Sequence, residues 1–208
     1  MIVTDIQKRR HRLTALFLDG QPTLIDTETL LLSGIGVGKE LSQQELADLQ
    51  ERSQYNRAYE KALYLLEYRA HSRKELLTKI LREYPPAAAE SAVARVTELG
   101  LIDDTVYAAD LAEEYVIRKG YGVHRAQMEL QKRGIDRDLA TAVLSEIQTD
   151  PIAQLTELIP KKYHPIPTDP KGVQKVVSAM VRNGYEFSQV RQALKQLAEE
   201  IEVEEPWQ

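Results

Sequence analysis

The sequence predicts a mainly α-helical protein: three tandem three-helix repeats in an elongated curved array, preceded by a small N-terminal β-hairpin or three-stranded element. Three observations predict it. A helical pattern recurs at an offset of 50 residues, Ser72–Arg82, Gly122–Lys132 and Gly172–Arg182. A change of pattern near Leu41 separates short alternating segments from helical ones. Composition is that of an ordinary folded domain, with 43% apolar and 28% charged residues among 208.

The N-terminal part up to about Ser33 reads as β. Ile2–Lys8 and Leu13–Leu18 are strand candidates, and Asp19-Gly20 is a tight-turn dipeptide that lets Gln21–Ile25 pair back. Such short strands need a helix over their apolar face. Ser42 with Glu45 is a capping box that opens that helix. The expected division is residues 1–41 for the β element and 42–53 for a connecting helix. Three-helix repeats then follow at 54–103, 104–150 and 151–198, with an acidic tail at 199–208.

The repeats share a small or polar residue at the start (Ser72, Gly122, Gly172) and apolar residues at Leu76/Ala126/Val176 and Ile80/Leu130/Met180. That i, i+4 spacing lies on one helix face. Ser72 with Glu75 forms a second capping box, and Gly134 and Gly184 suit left-handed helix ends. Helices flank each central one, through Ala58-Ala62-Leu65-Leu66 and Val93-Val96-Leu99 in the first repeat. In the third, a Pro-rich loop from Pro160 to Pro170 follows the first helix. No repeat alone exposes enough apolar surface for a core, so neighbours must stack, and stacked arrays present long surfaces to large partners.

Catalytic and cofactor chemistry is not indicated. There is no cysteine, which fits a reducing, cytoplasmic setting. His11, His71, His124 and His164 lack metal-ligand spacing, and Asp103-Asp104 stands where a helix cap belongs. Gly34-Ile35-Gly36-Val37-Gly38-Lys39-Glu40 suggests a phosphate loop, but Glu40 occupies the required Ser or Thr position. A helix-hairpin-helix reading of Gly34-Ile35-Gly36 is outweighed by a plain connector. No metal or cofactor is expected, no segment has signal-peptide or membrane-spanning character, and a monomer is expected. Net charge is −5, with Glu199, Glu200, Glu202, Glu204 and Glu205 near the C-terminus.

Several strings together are specific. They are Arg69-Ala70-His71-Ser72-Arg73-Lys74-Glu75-Leu76, Leu99-Gly100-Leu101-Ile102-Asp103-Asp104 with Tyr107-Ala108, Lys119-Gly120-Tyr121-Gly122, and Glu129-Leu130-Gln131-Lys132-Arg133-Gly134-Ile135. In this order the chain resembles the RecX family of recombinase regulators. Lys161-Lys162-Tyr163 and Asn183-Gly184-Tyr185 resemble its third repeat less closely. Phe17-Leu18-Asp19-Gly20 and Gly38-Lys39-Glu40-Leu41-Ser42 are similar to members with an N-terminal β-hairpin.

The resemblance implies a cytoplasmic regulator of homologous recombination and the SOS response. It implies binding to RecA and its filament on single-stranded DNA, and inhibition of ATPase and strand exchange by blocked filament growth or by disassembly. DNA itself is a further candidate partner, and a DNA-binding repeat protein without a recombinase is the alternative. The candidate contacts to RecA or DNA are two sets of cations. Arg82, Lys132 and Arg182 share one repeat position, and Arg125 and Lys175 share another, with Arg73 and Arg133 alongside. Lys8, Arg9, Arg10 and Arg12 lie between the first two strand candidates.

Overall fold

The computed structural model describes the backbone of residues 1–204 and side chains through residue 199. The acidic-tail reading beyond Glu199 therefore lies outside the described side chains. The chain divides into two compact units, Met1–Asp103 and Asp104–Gln208.

The first unit opens with an antiparallel sheet of β1 (Val3–Lys8), β2 (Leu13–Leu18) and β3 (Gln21–Asp26), in that order. The β2–β3 turn is Asp19-Gly20, both at positive φ, and Leu18 pairs with Gln21, as the dipeptide predicts. The free side of β1 is covered: Val3 N–H donates to Lys39 O and Gly38 N–H to Val3 O. That pairing covers the start of the β1 edge.

The β reading up to Ser33 needs correction, because Thr27–Ser33 form a short helix, α1. Asp26 ends β3 and caps α1, its Oδ1 accepting from Thr29 N–H (2.9 Å), and Gly34 closes it in the left-handed conformation.

Helix α2 (Gln43–Tyr68) starts at the predicted capping box of Ser42 and Glu45. It then runs for 26 residues, about 39 Å, without a break at position 53 or 54. No Gly or Pro interrupts it. Its first half closes the sheet core of Val3, Leu16, Leu18, Ile25, Leu30, Leu41 and Leu49. Its second half supplies Ala58 and Ala62 to a second core with α3 (Arg73–Ile80) and α4 (Pro86–Glu98). Leu76, Ile80, Val93 and Val96 are buried there as expected, but Leu99 is exposed because α4 has ended, and Ile102 fills the core instead.

The second unit holds two three-helix groups. The first comprises α5 (Asp104–Glu113) with a π-helical turn at Glu114–Arg118, α6 (Val123–Lys132) and α7 (Arg137–Glu146). The second comprises α8 (Pro151–Lys162), α9 (Pro170–Arg182) and α10 (Phe187–Glu204). Each has its own buried cluster, centred on Ala126 and Leu130 in one and on Val176 and Met180 in the other. The 50-residue offset thus selects equivalent buried positions in all three repeats. The helix α8 continues through Pro160, which the sequence places in the loop. Close to the helix end, its missing N–H removes only one intrahelical bond.

Candidate interaction surface

The sequence-selected cations have distinct environments. Arg82, Lys175 and Arg182 are exposed and make no ion pair among the described residues. Lys132 is also exposed and lies 2.8 Å from Glu129, holding that carboxyl below its usual range. Arg73 is exposed at the first turn of α3, and Arg133 is half-buried at the end of α6, where its N–H donates to Glu129 O and Leu130 O.

Arg125 faces inward. Its Nη1 donates to Asn183 Oδ1 (2.8 Å), and its guanidinium lies 3.9 Å from the centre of the Tyr121 ring. Because Asn183 follows Arg182, the contact brings Arg125 and Arg182 to one locality within the second unit. Lys132 lies two turns away along α6.

Neighbouring residues that sequence reasoning did not select create this locality. Asn183 Nδ2 donates to Gly120 O (2.7 Å), Gly122 N–H donates to Asn183 O (2.9 Å), and Tyr185 Oη donates to Gly120 O (3.2 Å). Burial pushes the Tyr185 phenol up to about 12, so it remains a donor at neutral pH. A Cβ on Gly122 would sit 2.2 Å from Gly184 C, so the two backbones touch where side chains cannot fit. The glycines themselves are visible in the sequence; that they meet each other is not.

In the first unit the β1–β2 tip carries Lys8, Arg9, Arg10 and Arg12, all exposed. Arg9 donates to Gln7, while Arg12 pairs with Glu28 (3.2 Å) and with Glu60 on α2. At the base of α3, Arg69 pairs with Glu75. Burial opposes the Glu75 charge, but the Arg69 hydrogen bond and charge override it and lower its pKa. Beside them His71 is buried, with its Nδ1 donating to Arg69 O and its Nε2 accepting from Lys79 Nζ, both at 2.8 Å.

A cleft of about 530 Å³ lies between α1 and α2, where Lys39 and Arg52 are balanced by Glu45 and Asp48. No group of three or more His, Cys, Asp or Glu side chains capable of holding a metal occurs among the described residues. No described helix is long and apolar enough to cross a membrane. Among the described residues the chain offers solvent-facing cations at helix ends, in the turn after α3 and at the β1–β2 tip.

Comparison with known proteins agrees with this architecture. The family model described as RecX, first three-helix domain, matches residues 58–95, and that for the second three-helix domain matches residues 103–144. Regulatory protein RecX of Xanthomonas citri is 35% identical over 138 residues, covering 65% of this chain and 85% of that protein. Regulatory protein RecX of Chlorobium phaeobacteroides is 30% identical over 143 residues, 68% and 93% of the two chains. That of Caldanaerobacter subterraneus subsp. tengcongensis is 27% identical over 199 residues, 93% and 98%. A crystal structure of regulatory protein RecX shares the fold with a TM-score of 0.66 at 19% identity, covering 93% of this chain and 98% of that one. The structure of RecX from Lactobacillus salivarius gives 0.60 at 20% identity, covering 70% and 97%.

Proposed function

The chain belongs to the RecX family of regulatory proteins, and on that premise we propose that it binds RecA and the RecA filament on single-stranded DNA. Binding inhibits ATP hydrolysis and strand exchange, by blocking filament growth or promoting disassembly, and so restrains recombination and the SOS response. The protein acts by occupancy in the cytoplasm and turns over no substrate. The observation that supports this reading is the family membership together with exposed cations at one repeat position, Lys132 and Arg182 ending their helices and Arg82 in the turn after α3. A filament or its DNA offers acidic groups that such side chains can meet.

The test measures RecA ATPase on a single-stranded DNA cofactor against increasing concentrations of the full chain. The double charge reversal Lys132→Glu/Arg182→Glu is expected to raise the half-inhibitory concentration roughly tenfold, with the circular dichroism spectrum and melting unchanged. Unaltered inhibition by that variant removes these positions from the interface. No inhibition by the unmodified chain, and no capture of RecA with or without DNA, rejects the filament reading itself.

A further inference from the structure

We infer that Asn183 is a positioning residue: it locks the second and third repeats into one rigid body, so that Lys132 and Arg182 meet a partner together at a fixed spacing. The partner is the RecA filament of the reading above, on which the positioning role rests; the lock itself is measurable without RecA.

Each of the two repeats has its own buried cluster, so the joint between them falls largely to hydrogen bonds. Asn183 supplies three. Its carbonyl accepts from Gly122 N–H (2.9 Å), its Oδ1 accepts from Arg125 Nη1 (2.8 Å), and its Nδ2 donates to Gly120 O (2.7 Å). The amide can stand only one way round, because a guanidinium only donates and a carbonyl only accepts. All three partners belong to the second repeat, and Asn183 itself is 5% exposed.

Both sides of the lock are anchored in a core. In the second repeat the Arg125 guanidinium lies over Tyr121, which stacks on the buried Tyr115 at 5.9 Å. In the third, Tyr185 packs within the buried cluster, and its Oη donates to the same Gly120 O (3.2 Å). Between them Gly122 and Gly184 meet backbone to backbone. A buried polar network with its bonds satisfied holds one arrangement, whereas apolar contact alone is non-directional.

This set of residues occurs once in the chain. Fifty residues earlier, Arg133 stands at the position of Asn183 and Ser72 at that of Gly122. An arginine side chain has no acceptor to offer a second guanidinium. Asn183 thus also accounts for Arg125 turning inward while Lys175, at the same repeat position, stays in solvent. The turn after α9 abuts the start of α6, so Arg182 and Lys132 are separated by the length of α6, about 15 Å. On a rigid body, contact through one cation presents the other at high effective concentration, and a joint that swings loses that advantage.

The test uses the full-length chain, which has no cysteine, with spin labels on Gln131→Cys/Gln174→Cys, two exposed positions on α6 and α9. Pulsed electron resonance should give a narrow label-to-label distance distribution, and Asn183→Ala should broaden it while circular dichroism verifies the fold. If Asn183→Ala does not fold, Tyr185→Phe, which removes only one hydroxyl, carries the same comparison with a smaller broadening. In RecA ATPase assays, Arg182→Gln should raise the half-inhibitory concentration about threefold in the unaltered background and hardly at all in Asn183→Ala. A loss of stability alone would leave that cost equal in both backgrounds. Equal distributions for the folded variant and the unaltered chain overturn the lock, as does a broad distribution in the unaltered chain. A broadened distribution with the full cost of Arg182→Gln retained overturns the positioning role. A chain that does not inhibit RecA at all overturns the filament reading and the positioning role with it, and the distance distribution tells that apart from failure of the lock.

Discussion

Gly184 joins the second and third repeats through backbone contact. It has φ +95°, and a Cβ there would lie 2.4 Å from Arg125 N and 2.7 Å from Gly122 O. Gly184→Ala must therefore both strain the backbone and push α6 away, at an expected cost of about 2–4 kcal/mol in urea unfolding. Asn183→Ala should cost about 1–3 kcal/mol, because Gly120 O loses a donor and Arg125 loses its acceptor. His71 makes a different residue-scale prediction. Burial lowers its pKa below the ordinary 6.5, with Arg69 and Lys79 adding to the effect, while the Arg69 carbonyl hydrogen bond and Glu75 oppose it. The unfolded chain then binds more protons than the folded one as the pH drops below about 6.5, so stability falls with falling pH. Physically, an imidazolium would lose its acceptor role towards Lys79 and face that ammonium directly. The urea midpoint is expected to decline from pH 7 to pH 5.5, and the decline should shrink in His71→Gln. A decline of equal size in that variant would assign it to other groups.

At the scale of elements, α2 is the structural surprise. Composition suggests a connector to about residue 53 and a repeat helix after it, yet one rod serves both cores of the first unit. The buried Ser53 hydroxyl accepts from Asp26 N–H (2.7 Å), and Asn56 Nδ2 donates to Thr29 Oγ1 (2.8 Å). Together they fasten α1 and the end of β3 to the middle of the rod. Ser53→Ala leaves a buried N–H without its acceptor and is expected to cost about 1–3 kcal/mol. Ser42→Ala at the capping box should cost about 1 kcal/mol, less because that end is exposed. Both are read from denaturant midpoints at constant m-value. Removing residues 1 to about 40 would strip half of α2 of its cover and leave Leu46 and Leu49 bare. Charge changes at Arg9 and Arg10 therefore test the hairpin's contacts more cleanly than truncation does.

For the whole molecule, charge is the property that composition governs most directly. Five glutamates lie between Glu199 and Glu205, and removing residues 199–208 takes the net charge from −5 to −5 + 5 = 0. The carboxylate of Glu199 lies 3.6 Å from Lys195 along α10. We propose that the acidic terminus competes with phosphate for the chain's cations. A chain ending at Ala198 is therefore expected to bind single-stranded DNA more tightly at low salt, with the gain fading as salt rises. Salt titration of oligonucleotide affinity for both chains checks this, and equal low-salt affinities would exclude such competition.

The amino-acid sequence by itself determined the helical class, the equivalent buried positions 50 residues apart, the Asp19-Gly20 turn and the Ser42 cap. Each is a local matter of periodicity or of a side chain reaching its own backbone, so each is legible without knowledge of distant neighbours. It also shows the family, because the strings from Arg69 to Ile135 occur in a specific order. Only tertiary structure decided which cations remain available. Arg125 and Lys175 occupy equivalent repeat positions, yet Arg125 is drawn onto Asn183 and Tyr121 while Lys175 stays in solvent. Tyr55 and Tyr64 likewise lie on one helix with opposite fates. Long-range packing sorts identical residue types into core and surface, and no spacing along the chain records where a neighbour from another element will arrive.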